Sequence, residues 1–215
     1  MRIGKPSIED KMVAYMNEKY PNDVFAYKGP FGGGAGAKSK IIKVSSEKYP
    51  DNDIYVTCDK NDDNTYKYRD NYIGVKYSNQ TEALIKNIVT TVFGSDFFLE
   101  YEIDMYGHPK NDSADTTFEE YISDPSSDIG FMAVIGDSYQ MKNKDAIVEQ
   151  LEKSFVDNGF CCYVGTIYFD NSTEEYRTLT GGMEFSAYLY KKLYKEALTF
   201  RMKTADEFYK YEWSE

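Results

Sequence analysis

Two stretches of this sequence carry residue types at spacings that chemistry uses. The first is Gly32-Gly33-Gly34-Ala35-Gly36-Ala37-Lys38-Ser39, which nearly spells a phosphate-binding loop. That pattern needs glycine directly before Lys-Ser, and Ala37 stands there instead. Such a loop also opens a helix whose N-terminal amides hold the phosphate. Here Ile41-Ile42-Lys43-Val44 follows and reads as a strand. The expectation is a flexible surface loop rather than a nucleotide site. The second stretch places Asp59, Asn61, Asp63 and Asp70 at the first, third, fifth and twelfth positions of a calcium loop, with Asn64 where a sharp turn is needed. Alternating carboxylate and amide oxygens converge on a hard cation in that geometry. Against it, Asp70 replaces the longer, bidentate Glu, and the flanks read as strands. Asn and Asp also gather at hairpin tips for turn reasons alone. Calcium at Asp59, Asn61, Asp63 and Asp70 is therefore one expectation and a solvated turn the plainer one.

Nucleophilic catalysis finds little local support. The one histidine, His108, sits between Gly107 and Pro109. A pair with Cys58, Cys161 or Cys162 is open, but no neighbouring motif points to it. The cysteines read as small buried hydrophobes, with a bridge from Cys58 to one of the adjacent pair as the alternative. No Gly-x-Ser-x-Gly elbow occurs, and Ser45-Ser46-Glu47-Lys48 lacks the companion motifs that give Ser-x-x-Lys meaning. One histidine and three scattered cysteines supply no zinc spacing. Among 36 acidic residues a carboxylate pair of the glycosidase kind requires a set separation in a cleft, which a sequence does not contain.

A net charge of −11 repels polyanions, which disfavours nucleic acid and anionic membrane surfaces as partners. No apolar run approaches the roughly 20 residues that cross a bilayer, and the polar start does not read as a signal peptide. A chain of 215 residues with 41% hydrophobic content builds a core without disulfide or metal staples, burying roughly 70% of its unfolded surface. Tyrosine is unusually frequent, 21 against 13 Phe and 1 Trp. It serves half-buried strand positions, and it also makes good contact surfaces for protein or glycan partners. The C-terminal Tyr188, Tyr190, Tyr194, Tyr209, Tyr211 and Trp213 are candidates for such a platform.

The elements that would position these residues follow from periodicity. Ser7 caps a helix whose Met12, Val13 and Met16 share a face and which Pro21 ends. Val24 to Tyr27, Ile41 to Ser45 and Asp53 to Asp59 read as strands, and Pro30 to Gly36 as a loop. Tyr66 to Tyr77 alternates and reads as a partner for the strand before it. Asn79 or Thr81 caps an amphipathic helix with Ala83, Leu84, Ile88 and Val92 inside, closed by Gly94. Phe97 to Ile103 is a strand, and 104–116 reads as a linker. Then come a short helix at Phe118 to Ile122, a buried strand at Ile129 to Ile135, a helix at Lys144 to Asp157 and a strand at Phe160 to Tyr168. Residues 182–212 read as two strands and a short final helix. The fold class is α+β: mixed or antiparallel sheets packed with amphipathic helices. The chain reads as a single unit, 1–215. An offset match of 83–103 with 146–166 keeps open two related α/β halves, 1–103 and 117–215, joined by 104–116.

Val44-Ser45-Ser46-Glu47-Lys48-Tyr49-Pro50, Asp70-Asn71-Tyr72-Ile73-Gly74-Val75-Lys76-Tyr77 and the helix to Phe93-Gly94 resemble small uncharacterised lipoproteins of Gram-positive gut bacteria. The resemblance spans about residues 7–103. It implies an exported, surface-anchored protein whose lipid-bearing Cys lies upstream; the alternative location is the cytoplasm. It implies no activity and no catalytic residue. The leading expectation is a non-enzymatic extracellular binding module. The alternatives are a small hydrolase using acidic residues or a Cys, and a calcium-stabilised structural domain. A pocket holding a carboxylate of raised pKa would favour the hydrolase, and an aromatic surface without one the binding module.

Overall fold

The computed structural model describes residues 6–33, 37–104, 107–136, 143–161, 164–170, 173, 174, 176, 196–204 and 207–214. Helix α1, Ile8–Lys19, begins where Ser7 accepts the Asp10 N–H and Asp10 accepts the Ser7 N–H. This reciprocal pair satisfies two otherwise orphaned amides. Met12 and Met16 are fully buried.

Four antiparallel strands follow in sequential order: β1 Phe25–Gly32, β2 Ser39–Ser46, β3 Ile54–Lys60 and β4 Tyr66–Asp70. Strand β1 runs on through Pro30, where the sequence predicts a loop. It does so because it is an edge strand, where proline sacrifices no ladder bond, and because register shifts at Tyr27/Gly29 and Pro30/Gly32 absorb the irregularity. The strand expected over 66–77 stops at Asp70. The Asp70 carboxylate accepts the Tyr72 N–H at 3.0 Å, and the chain turns there into α2, Tyr72–Phe93. Asn79 and Thr81 therefore lie inside the helix, with the Thr81 hydroxyl donating to the Tyr77 carbonyl. Ala83 is exposed, and Ile85, Ile88, Val89 and Val92 form the inner face. Gly94 closes α2 at φ 84°, as expected.

The second sheet has the order β5-β6-β7-β8-β9, with β5 Phe97–Glu102, β6 Gly130–Ile135, β7 Val164–Phe169, β8 Glu196–Thr204 and β9 Glu207–Ser214. Only β6 and β7 are parallel, joined through α4, Lys144–Asp157; the other neighbours are antiparallel. Helix α3, Phe118–Ser123, carries a second capping pair, Thr117 with Glu120. The final helix expected within 182–212 is replaced over 207–214 by β9; residues 182–195 lie outside the described ones.

The molecule is thus α+β with one antiparallel and one mixed sheet. Helix α1 rests on β1 and β3, while α2 reaches β3 and β5 and packs on α3 and α4. One hydrophobic cluster runs from Met12 and Ile42 through Ile88 to Phe155 and Met202. β5 precedes residues 104–116 yet pairs in the second sheet, and α2–β5 and α4–β7 enter that sheet in different senses.

Candidate functional site

The last turn of α1, the end of β4 and the segment 107–117 bring an ionic cluster together. Lys19, 15% exposed in its side chain, donates to Asp70 at 2.8 Å and Asp112 at 2.5 Å, whose side chains are 0% and 9% exposed. Its third proton reaches the Tyr15 hydroxyl at 2.9 Å, so all three ammonium donors are used. Asp70 also accepts from Tyr15 at 2.8 Å and Tyr20 at 2.9 Å. The Tyr20 hydroxyl lies equally near Asp112, at 2.9 Å. Burial first, and the Asp70 charge next, raise the phenolic pKa values of Tyr15 and Tyr20, so both remain donors. Asp112 is likewise raised, by burial and then by the Asp70 charge, against the pull of Lys19.

Beside this cluster opens a cleft of about 160 Å³ lined by Tyr20, Asn22, Asp23, Lys48, Tyr49, Tyr72, Lys76 and Ala114. Tyr72 is its hub, with ring centroids 4.3 Å from Tyr20 and 5.7 Å from Tyr49. Asp23 anchors the cleft wall. It accepts the Val24 N–H at 2.7 Å, the Lys48 N–H at 3.2 Å, the Tyr72 hydroxyl at 2.9 Å and the Ser46 hydroxyl. Burial pushes its pKa up, but these donors outweigh burial and hold it below the usual carboxylate value. Ala114 comes from the segment expected to be a linker. Residues 107–116 of that segment form instead a packed strap: Tyr77 donates to the Thr116 carbonyl at 2.7 Å, and the Lys76 ammonium reaches the Ala114 and Thr116 carbonyls at 3.4 and 3.3 Å. The Lys76 ammonium also lies 4.6 Å from the Tyr77 ring centroid.

The four candidate calcium ligands are not drawn to one point. Asp59 pairs with Arg69 at 2.5 Å. Asn61 donates to the Thr65 hydroxyl at 2.8 Å, and Asp63 accepts from the Thr65 N–H at 2.9 Å and hydroxyl at 2.6 Å. Asn64 takes the left-handed conformation, φ 64°, that the turn needs. Asp70 sits at the far end of β4, opposite Val56, inside the lysine cluster. Among the described residues, no three His, Cys, Asp or Glu side chains are grouped to hold a metal ion. After Gly33, Ser39 begins a strand rather than a helix. Cys58 and Cys161 are buried and unbridged. Burial raises the Cys58 thiol and pushes Cys161 up to about 11, the opposite of an activated nucleophile. Cys162 lies outside the described residues. At the C-terminus Tyr211 is exposed, but Trp213 packs 5.9 Å from Phe169 and under Lys144. Tyr188, Tyr190 and Tyr194 lie outside the described residues.

Of the cleft and its cluster, the sequence reads Asp70 for another chemistry, reads Lys48 only as part of a Ser-x-x-Lys match, and holds Lys48, Tyr49, Tyr72 and Lys76 within the segments that carry the lipoprotein resemblance. Lys19, Tyr20, Asp23 and Asp112 carry no local motif.

The fold and site define an α+β protein of two sheets with a tyrosine-walled cleft where the first sheet meets α2 and the 107–117 strap. No family model matches the sequence, and no curated protein matches it. Among solved structures, the crystal structure of a DUF5037 family protein from Ruminococcus gnavus is similar, with a TM-score of 0.45 over 95% of each chain and 14% identity.

Proposed function

We propose that this chain is a non-enzymatic binding module, acting outside the cell, whose ligand is one ring of a glycan held in the tyrosine-walled cleft. The observation that carries the reading is the convergence of Tyr20, Tyr49 and Tyr72 on a space of about 160 Å³. A cavity of about 150 Å³ accepts a single six-membered ring. Apolar walls with a few convergent polar groups are what a small-ligand site needs. Asn22, Lys48 and Lys76 at the lining supply those groups for sugar hydroxyls. Asp23 is saturated by hydrogen bonds, which suits a scaffold role better than proton transfer. The extracellular setting rests on the lipoprotein resemblance of residues 7–103.

One observation favours the hydrolase reading: Asp112, with its raised pKa, lies just behind Tyr20. Its oxygens are engaged by Lys19 and Tyr20, and it is not among the residues that line the cleft. Binding is therefore preferred.

The test is a backbone amide NMR titration with a panel of neutral and acidic mono- and disaccharides. Shifts are expected at Asn22, Asp23, Lys48, Tyr49, Tyr72, Lys76 and Ala114, and Tyr49→Ala should remove them. A panel that moves none of these amides overturns the glycan reading, and release of free sugar from any disaccharide would put the hydrolase in its place.

A further inference from the structure

We propose that residues 107–117 form a proton-linked latch over the cleft, fastened to α1 by Asp112 and held more firmly as pH falls below neutral. This rests on the cleft being the ligand site. The strap has one fixed end. Gly107 is seated against the Ser127 carbonyl, with no room for a side chain. The His108 N–H donates to the Ser126 carbonyl at 3.0 Å and the Lys110 N–H to Asp124 at 2.7 Å. Thr117 fixes the other end as the cap of α3. Between them, 111–116 leans on α1 and α2 through Asp112 and through the Ala114 and Thr116 carbonyls. Because Ala114 is a wall of the cleft, lifting this stretch opens the cleft and frees Lys76.

Two carboxylates in the latch share one ammonium and one phenolic proton. Asp112 faces Lys19 and Tyr20 at bonding distance, with Tyr15 beyond them on α1, and it faces Asp70 from β4. On α2, Lys76 is engaged with strap carbonyls. Burial and the Asp70 charge raise the docked Asp112 carboxyl, and lifting the strap returns it towards the ordinary value of about 3.9. A group whose pKa is higher in the docked state takes up a proton on docking. Docking is therefore favoured as pH falls into the window between those values and opposed once Asp112 ionises above it. The wider that window, the larger the change in the docking constant across it, about tenfold for each pH unit of its width. Lys19 keeps the ionised form attached.

Hydrogen exchange of the full chain without ligand tests this. Protection factors at 111–116 are expected to rise as pH is lowered from neutral towards the ordinary carboxylate value of about 3.9, while amides in α4 and β7 do not follow. Asp112→Asn should hold the strap at its acid-side protection with no pH slope. Flat or falling protection in the native chain, or an unchanged slope in Asp112→Asn, overturns the latch. If that variant does not fold, carboxyl carbon NMR of native Asp112 decides: a midpoint at or below the ordinary carboxylate value overturns it. A failed saccharide titration defeats the binding reading alone, and a flat exchange profile defeats the latch alone.

Discussion

Asp23 gathers four donors that no stretch of sequence announces: two backbone amides, Val24 and Lys48, and two hydroxyls, Ser46 and Tyr72. It joins the end of α1, the turn after β2 and the first residue of α2, so the cleft wall depends on it. Asp23→Ala strands several buried donors together, and each unsatisfied group costs about 1–3 kcal/mol. The expected loss in urea unfolding is about 3 kcal/mol. Tyr72→Phe removes one donor, leaves the carboxylate with three, and should cost about 1 kcal/mol. Equal losses in the two variants would mean that the Tyr72 hydroxyl bond alone, not the set of four donors on the carboxylate, holds the wall. Ser46 shows why sequence hides the clasp. Within Ser45-Ser46-Glu47-Lys48 it resembles half of a catalytic motif, and only the fold, by setting it against Asp23 from 23 residues away, shows it to be scaffold. Asp70 reads as a cation ligand in sequence for the same reason: a carboxylate's neighbours along the chain do not reveal its partners in space.

Elements are legible where local chemistry declares an end. Ser7 with Asp10, Thr117 with Glu120 and Asn143 mark the starts of α1, α3 and α4, and the 144–157 periodicity gives α4 its full span. The start of α2 has no such mark. Asn71 precedes it, but its side-chain oxygen accepts the Tyr55 N–H at 2.9 Å instead of capping the helix. The first turn, Tyr72-Ile73-Gly74-Val75, is buried throughout, so no apolar–polar period appears there. Strand β7 offers a second case. Gly165 pairs with Phe200, and a Cβ on Gly165 would collide with the Phe200 ring. That ring is fully buried among Phe131 and Phe155 and has nowhere to move. Gly165→Ala should destabilise by about 1–3 kcal/mol through overpacking. Gly29, on the bulged edge strand, has nothing within 4 Å of its Cβ position, and Gly29→Ala should be neutral or stabilise by up to about 1 kcal/mol. Thermal melts of the two variants check the contrast; similar losses in both would place the cost in the backbone rather than in Phe200.

For the whole molecule, the charge of −11 read from sequence and the environments supplied by the fold combine into one pH profile. Asp112 and Asp128 are raised, each by burial and then by a neighbouring carboxylate, Asp70 and Asp104 respectively. Their protonation favours the folded state, so that contribution is fully present at acid pH and is lost as pH rises through their folded values. Asp23 and Asp124 are lowered: burial acts against ionisation, but hydrogen bonds to each carboxylate outweigh it. Their contribution is present above the ordinary carboxylate value of about 3.9 and is lost as pH falls through their folded values. Self-repulsion of the excess negative charge adds a penalty that grows with pH. The thermal midpoint is therefore expected to peak on the acid side of neutrality, fall gently towards about pH 8 and fall steeply in strong acid. The two causes of the gentle fall separate with salt. Raising ionic strength from about 0.1 M to about 1 M shortens the screening length from about 10 Å to about 3 Å, which should raise the midpoint at about pH 8. It should leave most of the Asp112 contribution in place, because that group is buried and poorly screened. A fall that disappears completely in salt would assign it all to surface repulsion. One that survives in salt but is flattened by Asp112→Asn would assign the remainder to the latch.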